Sequence, residues 1–368
     1  MQKVLQGLRV LEIGGLGPGP FCAMHLADLG ADVISLVRPS SGTPITGDLL
    51  NRGKRSVFTD LKTPEGRALA LQLVRDADVL IEGMRPGSME RLGLGPQECH
   101  AINPALVYGR MTGWGQHGPL AHTAGHDANY AALSGAMWGC SPADARPVPP
   151  FGVLGDIGGG ALYLMTGVLS GVLQARSTGQ GCVVDAAIVD GAAHMLNLML
   201  SMRATGLVGE TRDTSLHTTA PFYDTYVCAD GEHITIGPIE AQFYQLLLHT
   251  LGLQDDPDFI GDQWERSAWP RRRARLAALF LQHPQAHWQA LLEGSDACFA
   301  TVLSPQAAAQ HPHLQARSVY AHDGGTLQAS PAPRFGSAPY PINPSGPAGA
   351  HTAQVLQALA SGASAWQV

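Results

Sequence analysis

Four ionisable side chains lie at the starts of predicted helices, where they could exchange protons with a bound molecule. His126 and Asp127 are neighbours in the segment 125–130, which has the sequence Gly-His-Asp-Ala-Asn-Tyr. Asp156 directly precedes the longest apolar helix that the sequence predicts, and Glu240 stands at the start of another. A helix N-terminus stabilises a carboxylate, and imidazole and carboxyl groups are common general acids and bases. The four residues are therefore candidates for acid–base chemistry, although each, taken alone, also fits a structural role.

His126 and Asp127 are not expected to form a hydrogen-bonded dyad, because adjacent residues of a helix do not face each other. One of them could point into a site while the other, or its backbone N–H group, takes a different part.

Asp156 has two interpretations. Aspartate is a good N-cap residue, but three glycines at 158–160 exceed what a cap requires, since each weakens a helix by about 1 kcal/mol relative to alanine. They would let a bulky ligand approach the backbone.

The elements that must position these residues begin with a βαβ unit. The apolar run 8–13 predicts a strand, a glycine-rich loop follows it, and a helix at 21–29 leads to a second strand at 32–37. Further strand candidates lie at 79–81 and 106–108, with a helix at 64–77 between the second strand and the third. This alternation predicts a doubly wound α/β domain.

The pattern changes character after Pro221. Segments 222–228 and 232–236 alternate around the turn Asp230-Gly231, which predicts a β-hairpin. The fold class that follows is α/β, a large Rossmann-like domain with a smaller α+β domain. We predict the large domain at 1–204, the small domain at 205–325, and a C-terminal segment at 326–368 that returns to the large domain.

The loop after the first strand contains Gly15, Gly17 and Gly19, which could indicate a dinucleotide site. Pro18 and Pro20 count against it, because they lack the N–H groups that a pyrophosphate would need. The second strand ends at Arg38, where an NAD site would have an acid; an NADP site stays possible there. The favoured alternative is a tight structural turn.

Basic residues of the first domain are predicted in loops or at strand ends, namely Arg38, Arg52, Lys54, Arg55, Arg85 and Arg91. In a chain of net charge −7, basic side chains at the loop end of an α/β sheet could bind a polyanionic small molecule. For any single one of them, a solvated loop is the alternative.

Composition narrows the function classes. The net charge of −7 disfavours a nucleic-acid partner. The six cysteines include no CxxC pair, so neither a zinc knuckle nor a dithiol redox site is indicated. No signal-peptide core and no uninterrupted apolar run long enough to span a bilayer are evident. We therefore expect a cytoplasmic protein without membrane or nucleic-acid partners.

The residues described above also occur in a known pattern: the chain resembles the α-methylacyl-CoA racemase branch of the family III CoA-transferase (CaiB/BaiF-like) superfamily. The matching stretches run in order along almost the whole chain, at 19–24, 27–33, 52–56, 60–62, 125–130, 155–156, 221–223, 229–232, 240 and 296–298. The resemblance implies the family III fold, an acyl-CoA substrate, and neither a metal nor a redox cofactor, coenzyme A being part of the substrate. It also implies an interlocked homodimer, with active sites between the large domain of one subunit and the small domain of the other.

The resemblance further implies a role for individual residues. His126 and Asp156 correspond to the two proton-transfer groups, and Glu240 to the acid that orients or charges His126. The segment from Gly125 to Tyr130, including Asp127, would line the thioester. The CoA nucleotide would be held by Arg38, Arg52, Thr59, Leu61, Lys62, Arg85 and Arg91. The departures from the family pattern are Thr59 for Leu, Ala128 for a larger aliphatic residue, and Gly155 for Ala, which affect the shape of the pocket.

The implied reaction is racemisation of 2-methylacyl-CoA thioesters by 1,1-proton transfer at the α-carbon through an enolate. The alternative is a family III CoA transferase, in which Asp156 would be the nucleophile that accepts the acyl group. His126 together with Glu240 favours the racemase, since such transferases lack that pair. A nicotinamide oxidoreductase and a non-catalytic CoA-binding scaffold are the remaining alternatives.

Overall fold

The computed structural model describes residues 3–39, 48–142, 145–148, 152–214, 216–323 and 325–367. The chain folds into two compact units. The first unit comprises residues 1–136, 150–195 and 312–368, and the second comprises 137–149 and 196–311.

Eleven strands are found in the described residues. They are β1 (Arg9–Ile13), β2 (Asp32–Val37), β3 (Lys54–Phe58), β4 (Val79–Glu82), β5 (Val107–Thr112), β6 (Val183–Ala187), β7 (Asp224–Val227), β8 (His233–Ile236), β9 (Phe299–Val302), β10 (Tyr320–Asp323) and β11 (Thr326–Ala329).

Sixteen α-helices accompany them within the described ranges. They are α1 (Pro18–Asp28), α2 (Pro64–Asp76), α3 (Ser88–Arg91), α4 (Pro96–Ile102), α5 (Asp127–Leu133), α6 (Ala136–Gly139), α7 (Leu162–Thr178), α8 (Ile188–Met195), α9 (Asn197–Ala204), α10 (Leu216–Thr219), α11 (Ala241–Thr250), α12 (Trp269–Phe280), α13 (Gln285–Leu292), α14 (Pro305–Ala308), α15 (Pro312–Ala316) and α16 (Thr352–Ala360). A π-helical segment, Val153–Ala161, precedes α7, and short 3₁₀ turns span Leu49–Asn51, Arg212–Thr214, Arg266–Ala268 and Ala365–Gln367.

The first unit is built on a six-stranded sheet with the order β3-β2-β1-β4-β5-β6. All five neighbouring pairs are parallel. The order reverses between β1 and β4, and in such sheets ligands bind in the crevice beyond the carboxyl ends of the strands at that point. The predicted Rossmann-like domain is confirmed.

Helices cover both faces of this sheet, which explains why its central strands carry apolar residues on both faces. Val10 of β1 lies on the face covered by α1 and α7. Its neighbour Leu11 lies on the opposite face, in a core to which α2, α4 and α16 contribute. Successive side chains of a strand point to opposite faces, so the two apolar layers follow directly from the run Val10-Leu11.

Strands β3 and β6 are absent from the strands that the sequence predicts. Lys54 and Arg55, expected in a loop, belong to β3, and both are ion-paired inside the sheet region. Lys54 Nζ lies 2.8 Å from a carboxylate oxygen of the buried Glu12, and an Arg55 nitrogen lies 2.6 Å from Asp32. Neither is available as part of a cationic loop, so that interpretation is wrong for these two residues.

The units differ in their boundaries from the predicted domains at 1–204, 205–325 and 326–368. Helix α9 groups with the second unit because Met199 and Met202 pack against that unit's core. The β10–β11 hairpin groups with the first unit, since Arg52 donates hydrogen bonds to Gln328 Oε1 and to the Ala329 carbonyl. The boundaries thus move to 195/196 and 311/312.

The second unit contains an antiparallel sheet with the order β7-β8-β9. The predicted hairpin is confirmed, because β7 pairs with β8 and Tyr226 lies opposite Ile234. Its core is rich in aromatic side chains, and Phe222 makes edge-to-face contacts with Tyr244, Trp264 and Trp269.

One helical stretch in the described chain, Val153–Thr178, is long and apolar enough to cross a membrane, with a hydropathy of 1.3. No uninterrupted run of this kind was expected from the sequence, and polar residues such as Asp156, Thr166 and Ser170 do interrupt it. Core helices pass the same test, and α7 packs against β5 and β6. The stretch is therefore explained as a helix of the first unit.

Candidate active site

The candidate site lies beyond the carboxyl ends of β1, β4 and β5, at the reversal of strand order. A cavity of about 270 Å³ opens there. It is lined by the glycine loop after β1, by the ends of β4 and β5, by the start of α5 and by the π-helical segment. His126 and Asp156 both line it, so the fold brings the two predicted proton-transfer groups into one cavity.

His126 is the N-cap residue of α5 and is exposed. Its backbone N–H donates to Asn129 Oδ1 at 3.0 Å, and its carbonyl accepts from Asn129 N at 2.8 Å. The main chain is thereby fixed on both sides of the residue, whose backbone is extended. His126 thus stands at the helix start that the sequence predicted.

Asp156 lies within the first turn of the π-helical segment, whose N-cap residue is Gly152. The N-cap interpretation of Asp156 is therefore wrong. Its side chain is half-buried, and among the described residues no donor is within hydrogen-bonding distance of either carboxylate oxygen. Burial raises the pKa of Asp156, the negative charge of Asp127 raises it further, and His126 lowers it. An unpaired carboxyl group with a raised pKa is suited to proton transfer.

The glycine loop passes beside this carboxyl group. Gly17 has φ +71°, a left-handed conformation, and a Cβ on it would lie 3.4 Å from Asp156 Oδ2. Gly17 is thus favoured by its backbone conformation, and a Cβ there would be in van der Waals contact with the Asp156 carboxyl group. The loop thus lies beside Asp156 and lines the same cavity.

Tyr130 and Gly125 form one wall of the cavity. The Tyr130 hydroxyl donates to the Gly125 carbonyl, and its ring packs edge-on against Trp114 with centroids 4.7 Å apart. Burial and the nearby Asp156 raise the pKa of Tyr130. The tyrosine is thereby held as a neutral, rigid lining group.

Asp127 was predicted to line the thioester, but its side chain instead binds main-chain amides of the π-helical segment. The carboxylate accepts hydrogen bonds from Asp156 N at 2.8 Å and from Gly152 N at 3.2 Å, and Asp127 is not among the residues that line the cavity. Its backbone N–H belongs to the first turn of α5, where intrahelical acceptors are lacking. The Asp127 N–H group thus lacks an intrahelical acceptor, while the carboxylate is engaged by the π-helical segment.

A second cavity of about 340 Å³ adjoins the first and shares Ile13 with it. Five of the seven residues predicted to hold the CoA nucleotide line this cavity, namely Arg38, Thr59, Leu61, Lys62 and Arg91. Arg85 lines a third cavity of about 280 Å³, to which His126, Gly125 and Tyr130 also contribute. The three cavities follow one edge of the sheet, with cationic side chains in the second and third.

Arg52 is the exception among the predicted nucleotide-binding residues. It is buried, its Nε and one terminal nitrogen contact Asp28 at 3.0 and 2.5 Å, and its other terminal nitrogen donates to Gln328 and Ala329. A guanidinium engaged in this way is not available to a phosphate group. We therefore correct the prediction: Arg52 ties α1 to β11.

Glu240 belongs to the second unit and is the N-cap residue of α11, the helix start at which the sequence predicted it. Its charge, after burial, helps to raise the pKa of Cys298. Cys298 has φ +52°, an unusual conformation for a residue other than glycine. Within the second unit, Glu240 is thus close enough to Cys298, a residue with a positive φ, to affect the pKa of its thiol.

Glu82 is a cavity residue that sequence reasoning missed. It is 1% exposed at the end of β4, accepts from Arg110 Nε at 2.9 Å and from Met84 N at 2.7 Å, and has a pKa raised by burial. The sequence did contain a sign of this residue, because Glu82 is an acid that directly follows the apolar run Val79-Leu80-Ile81.

Among the described residues, no three His, Cys, Asp or Glu side chains are grouped so that they could hold a metal ion.

The family model for CoA-transferase family III matches residues 5–352. The chain is 39% identical to the alpha-methylacyl-CoA racemase of Mus musculus over 359 residues, which cover 96% of this chain and 93% of that protein. It is 38% identical to the protein of the same name from Homo sapiens, over 96% of this chain and 92% of that protein. The succinyl-CoA–D-citramalate CoA-transferase of Chloroflexus aurantiacus is 31% identical, over 97% of this chain and 94% of that protein.

Solved structures agree with this result. A CAIB/BAIF family protein from Brucella suis superposes with a TM-score of 0.84 at 27% identity, covering 98% of this chain and all of that chain. A Mycobacterium tuberculosis protein in an orthorhombic crystal form superposes with a TM-score of 0.77 at 27% identity, covering 95% of this chain and 98% of that chain. The predicted fold is confirmed, and the chain belongs to CoA-transferase family III.

Proposed function

We propose that this protein is an acyl-CoA racemase, an isomerase that moves the α-proton of a 2-methylacyl-CoA between the two faces of the α-carbon. The observation that carries the proposal is that His126 and Asp156 line one cavity, next to a cavity with cationic side chains. The two racemases that are 39% and 38% identical over 96% of the chain support it.

The chemistry requires one acid–base group on each face of the substrate. The α-proton of a thioester is weakly acidic. In one direction the Asp156 carboxylate removes it, and protonated His126 returns a proton to the opposite face of the enolate. In the other direction neutral His126 removes the proton and protonated Asp156 delivers one. Each group contributes about 10²–10⁴-fold to the rate.

The enolate oxygen needs donors that are already in place. The N–H groups of Asp127 and Ala128, the first two residues of α5, follow His126 in the chain and have no intrahelical acceptor, whereas that of Asn129 donates to the His126 carbonyl. One such preorganised donor is worth about 3–4 kcal/mol of transition-state stabilisation. Since these are main-chain groups, no side chain has to reorganise during the reaction.

The CoA end of the substrate is assigned to the second cavity. Arg38, Lys62 and Arg91 supply charge for phosphate groups there, while Leu61 and Thr59 supply contact surface. Arg85 lines the third cavity together with His126, and we expect it to contact the CoA moiety as well. We expect neither a metal nor a redox cofactor, because the reaction moves only a proton.

We also propose that the protein acts as an interlocked homodimer, in which Glu240 of one protomer orients or charges His126 of the other. Large apolar side chains are exposed on the helix that follows the site, including Val153, Leu162 and Leu173, which is 70% exposed. Contact with a second copy would cover such a surface. Light scattering of the eluting protein should give twice the chain mass; a fully active monomer would contradict the assignment. We expect this dimer in the cytoplasm, without membrane or nucleic-acid partners.

A CoA transferase is the second candidate. The unpaired carboxylate of Asp156 would suit a nucleophile that accepts an acyl group, and transferases such as the Chloroflexus aurantiacus protein are 31% identical to this chain. That reaction needs a carboxylic acid as acceptor and passes through an acyl-aspartate that hydroxylamine can trap.

Incubation of (2R)-2-methylacyl-CoA with the protein in deuterated water, without an added acid, separates the two. A racemase produces both epimers with deuterium at the α-carbon. Retention of configuration without deuterium and trapping of an acyl-Asp156 by hydroxylamine, followed by acyl transfer once a carboxylic acid is added in a second incubation, would establish the transferase.

A further inference from the structure

The carboxylate of Asp127 spans the start of the helical segment that carries Asp156. One oxygen accepts from Asp156 N at 2.8 Å, and the other accepts from Gly152 N at 3.2 Å. These amides belong to the first turn of the segment, where N–H groups have no intrahelical acceptor. A side chain from α5 therefore caps a helix start 25 to 29 residues further along the chain.

The contact is close because residue 155 has no side chain. A Cβ on Gly155 would collide with Asp127 Oδ1 and lie 3.1 Å from both Asp127 Cγ and the Asp127 carbonyl oxygen. The carboxylate thus occupies the space that an alanine methyl group would need.

This capping fixes the main chain from which the Asp156 side chain enters the cavity. The Asp156 carboxyl group has Gly17 on one side and, among the described residues, no hydrogen bond of its own to hold it. Its position depends on the backbone alone. A displacement of about 1 Å in a reacting group can cost about 10²-fold in rate.

Three ionisable groups act on or respond to the Asp156 carboxyl group. Asp127 opposes its ionisation, His126 favours it, and Tyr130 is itself affected by the charge of Asp156. In a reaction that uses Asp156 both as base and as acid, the charged and protonated forms must both be reached in each cycle. The charge of Asp127 brings the protonated form closer in free energy to the charged one.

We infer that Asp127 is a positioning residue for the reaction proposed above. Its carboxylate holds the main chain of Asp156 at the cavity, and its negative charge keeps protonated Asp156 accessible. Asp127 thus links the two proton-transfer groups, since it follows His126 in the chain and binds the backbone of Asp156. The inference rests on the proposed function.

The test is Asp127→Asn, which removes the charge and leaves one oxygen to accept a hydrogen bond. We expect kcat to fall about 10–10²-fold while KM changes less than about threefold. The acidic limb of the pH profile of kcat/KM, where Asp156 titrates, should move to lower pH because the opposing charge is gone. Gly155→Ala, which displaces the carboxylate without removing it, should lower kcat in the same way, and it carries the test if Asp127→Asn does not fold.

Asp78→Asn is the matched control. Asp78 also accepts a hydrogen bond from a main-chain amide, that of Arg9 at 2.8 Å, but at the amino end of β1, outside the cavities. This variant should keep the pH profile of the unmodified enzyme even if its melting temperature falls.

Two results would overturn the inference: an unchanged kcat in both Asp127→Asn and Gly155→Ala, or a lowered melting temperature of Asp127→Asn with an unchanged pH profile of kcat/KM. Failure of the proposed function looks different, because the unmodified enzyme would then not racemise 2-methylacyl-CoA. In that case the titration of Asp156, followed by carbon NMR of labelled aspartate, still tests the effect of Asp127.

Discussion

The carboxyl group of Asp156 lies against Gly17, at a distance that leaves 3.4 Å between Oδ2 and a Cβ placed on the glycine. Gly17 comes from the loop after β1, whereas Asp156 comes from the π-helical segment, far beyond β5 in the chain. The glycine loop therefore contacts one of the two proposed proton-transfer groups.

Gly17→Ala should therefore lower activity as well as stability. A non-glycine residue in such a sparsely populated backbone conformation costs about 1–3 kcal/mol, and the new methyl group would contact the Asp156 carboxyl group directly. Gly7→Ala is the control: Gly7 has φ +87° and nothing within 4 Å of its Cβ position. Melting temperature and kcat, measured for both, should show similar destabilisation but loss of kcat only in Gly17→Ala. Equal kcat in the two variants would show that the loop does not act on Asp156.

Arg38→Ala should raise KM for acyl-CoA more than it lowers kcat. A charge-assisted contact to a phosphate is present in ground and transition states alike, and its loss is worth about tenfold in binding. The effect should shrink with a substrate that lacks the ribose 3′-phosphate. Arg75→Ala, which changes an exposed arginine of α2 outside the cavities, is the control. An equal effect of Arg38→Ala on both substrates would refute a contact with that phosphate.

Arg52→Met should unfold more easily without a selective effect on CoA binding. The substitution leaves Asp28, whose side chain is 3% exposed, without its partner. Removing one member of a buried ion pair costs about 3–5 kcal/mol. Urea unfolding should show a loss of this size, with an unchanged ratio of KM for substrates with and without the 3′-phosphate. Normal stability with a selective rise in KM would return Arg52 to the nucleotide site.

The raised pKa of Asp156 makes a prediction about stability. The folded state binds the proton more tightly than the unfolded state, so this group's contribution to stability is present below the unfolded pKa, about 3.9. It is lost as pH rises through the folded pKa. Asp156→Asn, which cannot ionise, should therefore be more stable than the unmodified protein at neutral pH. Thermal unfolding at pH 4 and pH 8 measures this; an advantage that is greater at pH 4 than at pH 8 would contradict the sign of the shift.

How much could be predicted from the sequence depended on whether a residue's partners are local. His126 and Glu240 were placed correctly because helix starts have short-range signals. The buried strands β1, β2 and β4 were predicted because each contains a run of apolar residues, although β1 and β2 also carry Glu12 and Asp32. Strand β3 was missed because Lys54 and Arg55 are charged, and their partners Glu12 and Asp32 come from other strands.

The prediction that Arg52 holds the CoA nucleotide was wrong for the same reason, because its partners are even more distant in the chain. It was grouped with Arg38 by charge and loop position, but Gln328, which accepts one of its hydrogen bonds, is 276 residues away in the chain. The side chain of Asp127 is a related case. Its sequence position beside His126 indicated a place in the site, but only the fold shows that its carboxylate is bound by the backbone at 152 and 156.

The central claim is that His126 and Asp156 each serve one face of the α-carbon. It is tested most directly by giving each enantiomer of a 2-methylacyl-CoA separately to His126→Ala and Asp156→Ala in deuterated water, and following chirality and α-deuterium. We expect both variants to lose racemisation, and each to retain α-proton exchange with retention of configuration for one enantiomer only, the opposite one in the two variants. Full racemisation by Asp156→Ala would contradict the two-base account.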